Sequence, residues 1–170
     1  MTVENAGIGG ETANETVRRL EAELKELPDL VIWQIGTNDA VRGRDLGEFR
    51  ALVEQGIAAA KAAGVEIILL DQQYYPGIAD PVRYEGFVEA VRDLGQLSKT
   101  PVFSRYALMK TWSAHSAEEL RAMLSQDGFH MSDRGYTCLT SALGGSFAPM
   151  VQPRPSPAAT AQAVLSRTGR

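Results

Sequence analysis

Apolar positions fall into two kinds of run along this chain. Leu30-Val-Ile-Trp-Gln-Ile35 is apolar everywhere except Gln34, and Val65 to Leu70 is apolar everywhere except Glu66. Short continuous runs rich in β-branched residues predict strands covered on both faces, as inside a parallel sheet. Around them the period changes. Val17, Leu20, Leu24 and Leu27 recur at helical spacing, as do Phe49, Leu52, Val53, Ile57 and Ala60. Thr12 with Glu15 has capping-box spacing, Asp45 with Glu48 offers another start, and Gly64 supplies a stop. A third helix is predicted from Pro81, suited to a first turn, to about Leu97. Ser116 and Glu119 open a fourth carrying Leu120, Met123 and Leu124. Ser132 caps a last one carrying Tyr136, Leu139 and Leu143.

The remaining stretches are connections or short pieces. Met1 to Glu4 reads as the end of a strand, Asn5 to Thr12 as a glycine-rich turn, and Gly36-Thr-Asn-Asp39 as turn chemistry after the first long strand. Asp71 to Gly77 is a polar, aromatic loop. Pro101 to Phe103 is a short strand, followed by an irregular aromatic stretch through Trp112. From residue 149 to 170 the content of Pro, Ala, Ser and Gln rises and periodicity is lost, which predicts a disordered tail. Strands alternating with helices predict an α/β three-layer sandwich with a parallel sheet, occupying residues 1–148.

Composition narrows the function. With 170 residues there is room for one domain with a real core. A net charge of -4 gives no basic surface for nucleic acid or an anionic membrane. No apolar run approaches the roughly 20 residues of a membrane span. One cysteine, Cys138, excludes an internal disulfide and a cysteine zinc cage; with only His115 and His130, no metal site is expected. If Met1 is the true start, no signal peptide is present. His115 reads as a surface or helix-entry residue and Cys138 as a small buried hydrophobe on the last helix.

Three stretches converge on the carboxyl edge of such a sheet, where open α/β sheets place ligands: Gly7-Ile-Gly-Gly10, Gly36-Thr-Asn-Asp39 and Asp127-Gly-Phe-His130. Each has a plain structural reading. The glycine turn is tight connection geometry, or a phosphate cradle matching no established phosphate fingerprint. Asn38 and Asp39 alone are turn formers. Asp127 and His130, three apart on a tight turn, share one side, so the carboxylate can hold one imidazole nitrogen and leave the other as a base.

Taken together and in order, Gly-Gly-Glu-Thr, Gly-Thr-Asn-Asp after a buried strand, and Asp-Gly-Phe-His-Met-Ser-Asp-Arg-Gly-Tyr resemble the SGNH (GDSL-type) hydrolases over roughly Val3 to Leu143. The resemblance implies a flavodoxin-like fold, a small-molecule ester substrate, no cofactor, and hydrolysis through an acyl-serine. It matches Gly10, by its backbone N–H, and Asn38, by its amide, to the oxyanion hole. His130 matches the general base and Asp127 the residue orienting it. The family's nucleophile lies in a Gly-Asp-Ser motif after the first strand, and no Gly-Asp-Ser occurs here. Ser98, Ser104, Ser113, Ser116, Ser125, Ser132, Ser141 and Ser146 follow no buried strand and glycine turn.

The expectation is therefore a chain lacking the family's first strand and nucleophile, inactive as a serine hydrolase. In the family that strand is interior, so its absence predicts weak stability or aggregation. The alternatives are a non-catalytic binder of esters or carbohydrates on the same fold, and a flavodoxin-like phosphate or nucleotide binder. Gln72, Tyr74 and Tyr75 after one strand, and Arg105, Tyr106, Met109 and Trp112 after another, either border the site or pack over the sheet edge.

Overall fold

A computed structural model describes residues 2–147; the tail expected at 149–170 lies outside them. The elements run α1 (Ala13–Glu23), a 3₁₀ turn (Leu24–Glu26), β1 (Leu30–Gln34), α2 (Thr37–Val41), α3 (Leu46–Ala63), β2 (Glu66–Leu70), α4 (Pro81–Ser98), β3 (Val102–Phe103), α5 (Arg105–His115), α6 (Ala117–Met123) and α7 (Asp133–Phe147). Helix starts follow the capping residues. The Glu15 carboxylate accepts from Thr12 N at 2.8 Å, Asp45 from Glu48 N at 2.8 Å, and Ser116 from Glu119 N at 2.9 Å. Each satisfies an amide that the helix itself leaves without a partner.

The sheet among the described residues has three parallel strands in the order β1-β2-β3. Helices α3 and α4 are the crossovers, and they share one face with α1. There Val17, Leu20, Phe49, Val53, Ile57, Phe87, Val91 and Leu94 close over Trp33, Ile35, Ile67 and Leu69. On the opposite face α5, α6 and α7 form a second cluster, with Met109, Trp112, Leu120, Met123 and Leu139 meeting Leu70. This is the expected three-layer α/β arrangement with a parallel sheet, and burying a side chain such as Leu69 contributes about 2 kcal/mol.

Four local expectations are corrected. Strand β1 is not covered on both faces: Trp33 is buried, while Leu30 and Ile32 are 42% and 45% exposed. The second cluster sits over β2 and β3, so Ile68, paired in register with Ile32, is 8% exposed. Thr2 to Glu4 join no ladder, and Val3 is exposed. Gly36 to Asp39 open α2 instead of making a free turn. The stretch after Phe103 is a regular helix, α5, capped by Ser104, whose hydroxyl accepts from Ala107 N at 3.1 Å. Its buried positions Arg105, Met109 and Trp112 are spaced four and three apart, a helical stripe hidden in the sequence by the arginine at its head.

Candidate functional site

The first part of the site is a corner where α1 and α2 begin. Asn38 Nδ2 donates to the carbonyl of Glu11 at 2.8 Å, which seats the Asn38 amide directly after Gly10. Both oxygens of Asp39 accept from Ala13 N at 3.0 Å. Asp39 is 2% exposed, and burial raises its carboxyl above the ordinary value. The α1 N-terminus is thus occupied by the chain's own carboxylates, Asp39 and Glu15, which disfavours a phosphate there. Arg42 joins this corner: its Nη2 lies 3.4 Å from where a Cβ on Gly10 would be.

The second part is the loop between α6 and α7. His130 Nδ1 lies 2.6 Å from Asp127 Oδ2. The other oxygen, Oδ1, accepts from Ser125 Oγ at 2.6 Å, Phe129 N at 2.9 Å and His130 N at 3.0 Å. These bonds, His130 foremost and Ser125 next, hold the Asp127 carboxyl far below the usual carboxylate range. Leu124 and Met131 pair at the base of the loop, and Ser125 N donates to His130 O at 2.8 Å. Both side chains of the pair stand in solvent, 69% exposed for His130 and 50% for Asp127.

The loop after β2 joins the two parts. Gln72 is fully buried with its amide against Gly36, and neither amide atom has a hydrogen-bond partner among the described residues. The next residue, Gln73, donates through Nε2 to Phe129 O at 2.7 Å, and its own carbonyl accepts from Tyr84 at 2.7 Å. Beneath them lies a buried polar scaffold. Asp71 accepts from Ser104 Oγ at 2.6 Å and Tyr106 N at 2.8 Å. Arg105, 1% exposed, donates to the Asp71 carbonyl at 3.2 Å and to Thr37 Oγ1 at 3.2 Å, beside Asn38.

The structure sorts the residues expected to border the site. Gly10 with Asn38, and Asp127 with His130, form two pairs linked through Gln72 and Gln73. Met109 and Trp112 are packing residues of the second cluster. Gln72 and Arg105 lie under the sheet edge, whereas Tyr74, Tyr75 and Tyr106 line an adjoining cavity. His115 is exposed at the end of α5, 3.3 Å from Glu119; Cys138 is half-buried on α7. The scaffolding role of Asp71 escaped the sequence reading, and of the two roles open to Arg105 the structure shows burial against Asp71 and Thr37. For Asp71, a carboxylate directly after a buried strand was the available signal. Among the described residues no group of three or more His, Cys, Asp or Glu is placed to hold a metal ion, and no helix is long and apolar enough to cross a membrane.

Comparison with known proteins gives the family of the chain. A model of the non-GDSL lipase-like family matches residues 1–153. Esterase TesA of Pseudomonas aeruginosa is 27% identical over 129 residues, 75% of this chain, and the chain spans 60% of that relative's length. A lipase/acylhydrolase from Enterococcus faecalis superposes with a TM-score of 0.76 at 26% identity, over 91% of this chain and 80% of that one. An acetyl xylan esterase, AlAXEase, shares the fold with a TM-score of 0.75 at 17% identity, over 83% and 78% of the two chains. The chain belongs to the non-GDSL lipase-like family of the SGNH (GDSL-type) hydrolases.

Proposed function

We propose that this protein carries the proton-transfer and oxyanion-stabilising machinery of a carboxylic ester hydrolase. One observation supports the reading above the others: the 2.6 Å contact of His130 Nδ1 with Asp127, on a loop tied by Gln73 to the sheet edge that holds Asn38. Asp127 accepts from Nδ1–H, fixes the tautomer and leaves Nε2 as the base. Gly10 N–H and the Asn38 amide donate to the carbonyl oxygen as it gains charge. One Asn38 amide hydrogen is committed to Glu11, which fixes the amide plane and leaves the second for substrate. Family membership and the likeness to esterase TesA and the Enterococcus faecalis lipase/acylhydrolase support the same reaction class.

In the acyl-serine route a serine hydroxyl adds to the acyl carbon while its proton passes to Nε2, the alcohol leaves with that proton, and water then releases the acid the same way. The sequence contains no Gly-Asp-Ser. Ser125, the serine bonded to the pair, donates to Asp127. We therefore expect these 170 residues to be inactive by that route and to retain only slow hydrolysis of an activated ester. In that reaction Nε2 takes the acetyl group of p-nitrophenyl acetate, p-nitrophenolate leaves, and water frees acetate.

Two measurements on the 170-residue chain test this. A fluorophosphonate probe should not label it; a label that forms and is abolished by His130→Ala overturns the claim that the nucleophile is lacking. Slow p-nitrophenyl acetate hydrolysis should vanish in His130→Ala and fall about tenfold or more in Asn38→Ala. Rates indifferent to both substitutions overturn the assignment of base and oxyanion donor.

A further inference from the structure

Beside the His130 loop lies a cavity of about 150 Å³, where four tyrosines meet two prolines, Ile78, Glu85 and Lys110. That is small beside the ~300 Å³ or more of a pocket for a drug-sized ligand, and it suits one small ring. Tyr74 and Tyr75 come from the loop after β2, Tyr84 and Glu85 from α4, and Tyr106 and Lys110 from α5. The rings are fixed by one another. Tyr74 meets Tyr106 edge-on at 5.4 Å, and Tyr84 lies 6.4 Å from Tyr106. Two hydroxyls are anchored: Tyr84 donates to Gln73 O at 2.7 Å, and Tyr106 to Glu85 Oε1 at 2.6 Å.

The rim carries charge. Lys110 Nζ sits 3.1 Å from Glu85 Oε1 and 5.3 Å from the Tyr106 ring centre. The Glu85 carboxyl is held below its usual range by Tyr106 and Lys110, so it stays an acceptor. The cavity also touches the candidate base. Tyr75 packs edge-on against Phe129 at 5.1 Å, and Phe129 against His130 at 5.1 Å.

From this geometry we infer that the tyrosine cavity holds the pyranose ring of an O-acylated sugar, with the acyl group turned toward His130. The inference rests on the ester-hydrolase reading and names its substrate class. Axial C–H bonds of a pyranose carry slight positive charge and meet the negative face of an aromatic ring. Its hydroxyls donate to Glu85 and accept from Lys110, partners for which a purely apolar chain has no use. Rings anchored before binding lose little freedom when the sugar arrives.

Titration calorimetry of the 170-residue chain with methyl 6-O-acetyl-β-D-glucopyranoside tests the inference. Saturable binding with Kd on the order of 1 mM is expected, weakened about tenfold by Tyr75→Ala and clearly by Lys110→Ala. Gly77→Ala is the gentler variant: its Cβ would lie 2.6 Å from the Tyr75 hydroxyl and must displace that ring, so it should weaken binding without removing a side chain. No saturation, or a Kd unmoved by all three substitutions, overturns the proposal. Tighter binding of methyl octanoate, also lost in Tyr75→Ala, overturns it in favour of an acyl-chain pocket. His130→Ala should leave Kd unchanged while removing p-nitrophenyl acetate hydrolysis. His130-dependent hydrolysis without sugar binding sinks only the sugar assignment. Sugar binding with His130-independent hydrolysis sinks only the hydrolase reading.

Discussion

The two halves of the site are held by different means. At the Gly10–Asn38 corner the fixing bonds join residues 26 and 27 positions apart, from Asp39 to Ala13 and from Asn38 to Glu11. In the His130 loop the side-chain bonds run through the Asp127 carboxylate to residues two or three apart, Ser125 N closes onto His130 O at the base, and Gln73 adds a tie from the sheet edge. At the corner Asp39 and Ala13 are buried, Asn38 is half-buried and Gly10 lies at the surface, while the whole His130–Asp127 pair stands in solvent. A short polar loop can make its own geometry from its own side chains, because closing it costs little chain entropy. A donor on a helix start acquires its direction only when another helix is packed beside it.

That contrast is sharpest between two positive-φ glycines, Gly36 behind the corner at +90° and Gly128 in the loop at +70°. A Cβ on Gly36 would lie 1.9 Å from Gln72 Nε2 and 3.1 Å from Phe49, whereas a Cβ on Gly128 meets nothing within 4 Å. Gly36→Ala is expected to cost about 3 kcal/mol, strain and overpacking combined, and Gly128→Ala about 1 kcal/mol from backbone strain alone. Urea unfolding of both variants measures the difference; equal costs would erase the distinction between a glycine packed behind the corner and one in a free loop.

The carboxylates should separate in the same way. Asp39→Ala strips the partner from a buried amide, Ala13 N, at a cost of about 2 kcal/mol. Asp127→Ala should leave the melting temperature nearly unchanged and lower residual p-nitrophenyl acetate hydrolysis about tenfold or more. Thermal melts paired with rates check both. A large fall in melting temperature for Asp127→Ala would make the loop a structural element of the fold.

The smallest effect concerns pH and the scaffold joining the halves. Burial raises the Asp71 carboxyl above its ordinary 3.8, so the folded chain binds that proton more tightly than the unfolded chain. The stability it contributes is complete below the unfolded value and is lost as pH rises through the raised folded value. Asp71→Asn keeps an acceptor for Tyr106 N and cannot ionise. Relative to wild type, the variant should therefore gain stability as pH rises from about 4 toward 7. Melting temperatures of both proteins across that range decide the matter, and a gap that moves the other way overturns the burial argument.

Much of this was legible in the chain. Capping residues marked the starts of α1, α3, α6 and α7, because an N-cap needs only a short polar side chain beside its own helix, and Pro81 marked that of α4. The Asp127–His130 pair was legible for the same reason. Helix α5 was missed although Ser104 caps it, because Arg105 interrupts the apolar stripe and is nevertheless buried against Asp71 and Thr37.

Local sequence therefore determined the elements, their caps and the turn that pairs Asp127 with His130, all of which depend on neighbours a few residues away. Tertiary structure decided what depends on distant partners. Leu30 and Ile32 read as interior residues, yet they face outward because the second helical cluster covers β2 and β3 and not β1. Asn38, taken alone a turn former, has its amide held because Glu11 is brought beside it at the start of α1, as Ala13 is brought to Asp39. Burial and direction are properties of what packs alongside, and no period in a single chain encodes them.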